Sequence, residues 1–256
     1  MTKPVLSIMM PAIRPNNWDA VYESIVNAVS VPFELIIVGP YALTPKLEPF
    51  PNIKYVKDFG NPVRAHNIAS LLVEGQYLTW VPDDGLFVPK ILDTMLHELS
   101  TMPPNVKNIV IARYTEAGHE FDKKFFNINS DGVTGGPYVS DNWYLLSQPV
   151  IDTGFYLSLG GFDCQFESLP PACNDFSIRA QRGGAIVKLV DQVALHCTHM
   201  SGHAGDHGPM HDAQMLVDTP LYNSINVNPE LADRVVVDID GWKNVPSVWE
   251  RRFGNI

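Results

Sequence analysis

Apolar residues in the first hundred positions follow two alternating rhythms. The runs "PVLSIMM" (4–10), "FELIIVG" (33–39), "IKYVKD" (53–58) and "YLTWV" (77–81) are short and nearly continuous, as in strands buried on both faces. Between them stand segments of helical period. In "NNWDAVYESIVNAVS", Trp18, Val21, Ile25 and Val29 recur near helical spacing, with Asn16 or Asn17 available as a cap. "NPVRAHNIASLLVEG" is the clearest helix. Asn61 can cap it, Pro62 suits its first turn, Ala65, Ile68, Ala69 and Leu72 share one face, and Gly75 ends it. "VPKILDTMLHELS" (88–100) is another. This alternation predicts an α/β fold with a mostly parallel central sheet flanked by helices.

Beyond residue 105 the rhythm becomes mixed. "VKNIVIARYT" reads as a strand, "NINSDGVTGGPYVSDNW" as a polar, Gly-rich loop, and "GGFD" (160–163) as a turn. "ACNDFSIRAQRGG" reads as a helix start with Asn174 or Asp175 near its amino end, and "AIVKLVDQVALHC" as one long strand or a pair. Residues 201–256 are rich in His, Gly and Pro and read as irregular, apolar only at "RVVVDID".

One junction stands out. In "QYLTWVPDDGLF" a buried strand runs through Pro82 into two adjacent carboxylates, Asp83 and Asp84. Asp, Pro and Gly make surface turns, which is one reading. The other is a cation site, because ligands of parallel sheets bind beyond the carboxyl ends of the strands.

Composition narrows the classes. With 256 residues, 45% hydrophobic and 18% charged, the chain has ample material for a core. No apolar run approaches the roughly 18 residues of a membrane span. The apolar start is cut by Pro11 and Arg14 and reads as a core strand, not a signal peptide. Three cysteines, Cys164, Cys173 and Cys197, form no disulfide framework and suit a reducing cytoplasm. A formal charge of −10 argues against broad affinity for nucleic acid or anionic lipid.

The order of these landmarks resembles the family 2 type glycosyltransferases of GT-A fold. Four stretches carry the resemblance: "LSIMMPAIRPN"; "RAHNIASLLVEGQYLTWVPDDG"; "GGFD" followed by "NDFSIRAQRGG"; and "VALHCTH". Together they span residues 5 to about 200. The resemblance implies a GT-A domain over 1–200, with a nucleotide-binding half at about 1–100 and an acceptor half at about 105–200. Residues 201–256 would follow as an irregular segment and a possible active-site lid.

It further implies a nucleotide-sugar donor, UDP-linked in the first instance, and Mn²⁺ or Mg²⁺ on a DXD-like acidic pair. Asp84 and His196 would ligate the cation, and Asp83 would reach the ribose. Asp175 would be the general base of an inverting transfer, with Asn174 beside it and Trp143 stacking on the acceptor. Pro11, Arg14, Asp58, Arg64 and His66 complete the expected donor site. Three of these roles have plainer alternatives. His196 could simply close a core strand, Asp175 could be a helix-start carboxylate, and Trp143 could pack.

The sequence also departs from the family. Where the family ends its second strand in an Asp pair, this chain has "IIVGPY", leaving Asp58 or Arg14 to meet the nucleobase. His66 stands before Asn67 where the family has Arg, and Pro82 replaces a common first Asp. Acceptors consistent with the resemblance are a glycan, a protein or a modified nucleic-acid base; similar compact chains occur in bacteriophages.

Two rival classes are a metal-dependent hydrolase using His199, His203, His207 and His211, and a silent nucleotide-sugar-binding module. A nucleotidyltransferase would want a Gly-rich loop after the first strand, which "MMPAIRPNN" lacks.

Overall fold

The computed structural model describes residues 3–116, 119–121, 143–198, 205–228, 231 and 233–254. Its first half follows the hydrophobic rhythm closely. Strands β1 (Leu6–Pro11), β2 (Phe33–Gly39), β3 (Ile53–Lys57) and β4 (Tyr77–Trp80) are all parallel, in spatial order β3-β2-β1-β4. Helices α1 (Pro15–Ala28), α2 (Pro62–Ser70) and α3 (Ile91–Thr101) cover them.

The local signals behave as their chemistry requires. Asn61 accepts a hydrogen bond from the Arg64 backbone N–H at 2.8 Å, and Pro62 opens α2. Asn61→Ala should lower stability by about 1 kcal/mol, the usual value of such a cap, read as a small fall in the thermal midpoint. Gly39 is required for a different reason. A Cβ there would lie 1.8 Å from the Ala12 carbonyl oxygen. The position where the family places an acidic side chain can hold none in this chain.

The second half corrects the expectation of a mostly parallel sheet. Strand β8 (Val150–Asp152) pairs antiparallel with both β4 and β6 (Asn108–Glu116). The long β9 (Ile186–Cys197) is parallel to β6 but antiparallel to β5 (Gly85–Phe87), and β7 (His119–Phe121) folds antiparallel onto β6. The full order is β3-β2-β1-β4-β8-β6-β9-β5, with β7 beside β6. The sheet is thus parallel on one side and mixed on the other. Strand β4 sits between β1 and β8, so the acidic pair at its carboxyl end lies near the middle of the sheet.

Two apolar clusters fill the faces. One packs α1 and α3 on β1 and β2 through Trp18, Val21, Ile25, Ile91 and Met95. The other joins α2 to helices α4 (Thr153–Ser158) and α5 (Leu169–Arg182) through Trp80, Tyr156, Phe162 and Phe176. Gly160 closes α4 at φ +82°, a conformation that favours glycine.

The carboxyl-terminal segment is more ordered than its composition suggests. Gly205–His207 is a 3₁₀ turn, α6 (Gly208–Ala213) runs through a π-helical stretch (Gln214–Asp218) into α7 (Thr219–Val227), and Glu250–Phe253 forms a last short helix. "RVVVDID" forms no strand; Val237 N–H instead donates to the Leu159 carbonyl at 3.1 Å. Among the described residues no helix is long and apolar enough to cross a membrane.

Candidate functional site

The two carboxylates that follow β4 face different tasks. Asp83 accepts from the backbone N–H groups of Ile13 and Arg14 at 2.6 and 2.5 Å, and from the Trp18 indole at 3.4 Å. Its second oxygen meets the Arg14 guanidinium at 2.5 Å. Asp83 therefore anchors the loop between β1 and α1 and also lines the smaller cavity, where its contact with a ribose stays an expectation. Asp84 is buried as well, but its carboxylate points toward the cleft. Its Oδ2 lies 3.8 Å from Arg14 Nη1 and 3.9 Å from His207 Nε2, while its backbone carbonyl accepts from Thr198 N–H at 3.0 Å.

Two cavities meet at Asp84. The first, of about 150 Å³, is lined by Pro11, Arg14, Gly39, Asp58, Asp83 and Arg252 among others. The second, of about 660 Å³, has His66, Trp80, Tyr114, Glu116, Pro171 and Asn174 in its wall. Pro82, Asp84, Leu169, His207 and Met210 belong to both.

The expected donor residues divide between contact and support. Pro11, Arg14 and Asp58 line the smaller cavity. Arg64 instead clasps Asp58, its Nε 2.9 Å from both carboxylate oxygens, and donates to the Trp242 and Val245 carbonyls. It ties the carboxyl-terminal segment to the Asp58 corner. His66 lies on the other side, in the wall of the larger cavity, edge-on to Trp80 and Phe162. Burial pushes its pKa down to about 3, so it carries no charge for a diphosphate.

Strand alternation turns the expected metal histidine away from the larger cavity. On β9, His196 pairs in register with Leu86 and Thr115, its side chain exposed and its Nδ1 2.7 Å from Thr115 Oγ1. The next residue, Cys197, points into the larger cavity. A one-residue step along a strand reverses the face. The histidine that reaches Asp84 is His207, from the 3₁₀ turn before α6. Sequence reading placed it only within a His-rich run. His199 and His203 lie outside the described residues, as do residues 201–204, 229–230, 232 and 255–256 of the segment proposed as a lid.

Asp175 is held by ion pairs on α5 rather than standing in the wall of either cavity. Its Oδ2 accepts from Arg179 Nε at 2.7 Å, one helical turn on, and its Oδ1 lies 2.8 Å from Arg234 Nη2. Arg234 also binds Asp163 at 2.8 Å, and Arg179 donates to the Leu159 and Gly161 carbonyls. A carboxylate with both oxygens held by guanidiniums is poorly placed to take a proton. Helix α5 presents Cys173 and Asn174 to the cavity. Burial pushes the Cys173 thiol up to about 12, so it is no thiolate at neutral pH. Trp143 packs against the core with the Arg182 guanidinium over its ring, 5.8 Å from the centroid. The carboxylate the larger cavity does present beside Asp84 is Glu116, at the end of β6, in register with Cys197.

Charge is concentrated at the junction. Burial works against the Arg14 guanidinium, but Asp83, Asp206 and Asp84 outweigh it and raise its pKa above the ordinary value. Asp84 and His207 offer a cation one carboxylate oxygen and one imidazole nitrogen. Among the described residues no group of three or more His, Cys, Asp or Glu is arranged to hold a metal. Mg²⁺ and Mn²⁺ commonly take one or two protein ligands and complete their shell with phosphate and water. To ligate such an ion, His207 Nε2 would have to give up Arg14 Nη2, now 3.2 Å away.

No family model and no curated protein matches this sequence. Solved structures do. TarS of S. aureus, residues 1–349 with UDP, superposes at TM-score 0.57 with 12% identity, covering 89% of this chain and 68% of that one. The same fragment with UDP-GlcNAc gives 0.57 and 13%, covering 89% and 69%. A longer TarS chain gives 0.56 and 13%, and there the match covers 77% of this chain but only 37% of TarS. At such identity the likeness speaks for architecture. The chain has the GT-A fold seen in TarS, as the order of its sequence landmarks implies.

Proposed function

We propose that this protein is a glycosyltransferase that moves a sugar from a nucleotide-diphosphate donor, a UDP-sugar in the first instance, to an acceptor hydroxyl. The observation that carries this reading is the meeting of two unlike cavities at Asp84. The smaller is rimmed by charge and lies at the carboxyl ends of β1, β2 and β4, where nucleotides bind in α/β sheets. The larger has the aromatic and proline wall that suits a sugar ring or a planar base: Trp80, Tyr114, Pro170 and Pro171. The UDP and UDP-GlcNAc complexes of TarS support the donor class.

Asp84 and His207 would hold Mn²⁺ or Mg²⁺. Bound there, the ion would neutralise the diphosphate and stabilise its charge on departure. Asp83 keeps Arg14 at the edge of the same site, adding a fixed positive charge. Glu116 takes the general-base role, removing the proton from the acceptor hydroxyl as the sugar carbon is attacked from the opposite side. Glu116→Gln should leave UDP affinity unchanged and lower transfer by about two to four orders of magnitude. Near-normal transfer in that variant removes Glu116 from the mechanism.

The decisive experiment is a set of nucleotide sugars tested for thermal stabilisation with and without Mn²⁺, followed by assay of free nucleotide. Stabilisation and release of UDP support the transferase. One observation favours a second reading, a silent nucleotide-sugar-binding module: α5 offers the cavity Cys173 and Asn174 rather than a carboxylate. Tight donor binding with no UDP released over any acceptor would establish that module.

A further inference from the structure

Asp206 joins two guanidiniums that come from opposite ends of the chain. Arg14 Nε donates to its Oδ2 at 2.6 Å, and Arg252 Nη2 donates to its backbone oxygen. Arg14 Nη2 also lies 3.2 Å from His207 Nε2. Arg14, His207 and Arg252 all line the smaller cavity. Two arginines brought together in a half-buried place repel one another unless an anion lies with them. Burial and the charge of Arg14 both oppose the Arg252 charge, with Asp206 favouring it.

We propose that Arg14 and Arg252 form the diphosphate subsite of this cavity and that Asp206 is a placeholder for the phosphate, displaced when the donor enters. The inference rests on the proposed nucleotide-sugar function and adds to it a binding residue and a competing internal anion.

Two features of Asp206 fit a placeholder. Its carboxylate accepts from Arg14 and its backbone carbonyl from Arg252, two acceptors for two guanidiniums that pair better with phosphate oxygens. Its side chain is 36% exposed, whereas that of Asp83, the other partner of Arg14, is 3% exposed. Solvent therefore competes with the Asp206 contact far more than with the Asp83 contact. Asp83 keeps Arg14 in position while Asp206 leaves.

The size of the cavity points the same way. At about 150 Å³ it is smaller than the roughly 300–1,000 Å³ of typical ligand sites. Its wall includes Met210, Trp249 and Phe253, from segments that the Arg252–Asp206 contact ties together. Releasing that contact frees room where the diphosphate needs it.

The test is calorimetric binding of UDP, inorganic pyrophosphate and uridine, with Mg²⁺ present, to the unaltered chain and to D206N, D212N and R252Q. Asp212 is the control, an exposed carboxylate in the same segment. D206N should tighten UDP and pyrophosphate by about tenfold, the release of a conformational restraint on the binding-competent state. D212N should change neither. R252Q should weaken both by about tenfold or more, and uridine should respond to none of the substitutions.

Equal tightening by D206N and D212N would reduce the effect to general charge and overturn the proposal. So would unchanged pyrophosphate affinity in D206N. If UDP fails to bind the unaltered chain while pyrophosphate binds and follows the predicted pattern, the donor assignment falls and the diphosphate subsite stands.

Discussion

Asp84→Asn is expected to abolish sugar transfer and the cation-dependent stabilisation of the fold by UDP, while the unliganded protein stays folded. The substitution keeps the shape of the side chain and removes its charge. The backbone carbonyl of Asp84, which receives the Thr198 N–H and hydroxyl, is untouched, so the link between β5 and β9 survives. What is lost is an anionic oxygen at the point shared by both cavities. A metal-bound diphosphate draws several kcal/mol of stabilisation from its ion, about three or more orders of magnitude in rate. Thermal unfolding with UDP, read with and without Mn²⁺, checks this directly. If the variant retains a strictly Mn²⁺-dependent rise in midpoint, Asp84 is not the ligand. Arg14 keeps its nearer partners Asp83 and Asp206 when the 3.8 Å pair with Asp84 is lost, so the unliganded midpoint should fall only slightly.

What could be read in the sequence was local. Asn61 and Pro62 define the start of α2 because capping is settled within a few residues. The acidic pair was conspicuous because a buried strand led straight into it. The antiparallel half of the sheet was not legible, since the pairing of β8 with β4 and of β5 with β9 depends on segments far apart in the chain. The orientation of His196 was hidden for the same reason on a smaller scale. Residues 186–197 plainly form a strand, but only its register against β5 and β6 fixes which neighbour, His196 or Cys197, enters the cavity. His207 was hidden for a further reason. Glycines around it carry little periodic signal, and its place 3.9 Å from Asp84 depends on contact between segments far apart in the chain. Gly39 shows the converse case. Its departure from the family pattern was visible, but its cause, the Ala12 carbonyl pressed against it, is tertiary.

The second large effect concerns Asp175, where sequence and structure assign different work to one carboxylate. As a general base, Asp175 would tolerate change to asparagine with its fold intact and its rate reduced. As the structure has it, the carboxylate is buried between Arg179 and Arg234, and Arg234 continues to Asp163. These contacts tie α5 to the turn after α4 and to the carboxyl-terminal segment. Removing one partner of a buried ion pair leaves the other charge uncompensated, at a cost of about 3–5 kcal/mol. Arg179 keeps three carbonyl partners at 2.9, 3.3 and 2.6 Å, which places the expected loss at the lower end. For a chain of this length, about 3 kcal/mol lowers the thermal midpoint by about 10 °C. Asp175→Asn should therefore unfold earlier by that margin, yet keep transfer activity close to normal at temperatures well below its midpoint. Denaturation by heat and by urea, with transfer assayed on the same preparation, measures both quantities. An unchanged midpoint together with a hundredfold or greater loss of transfer would return the base to Asp175 and remove it from Glu116.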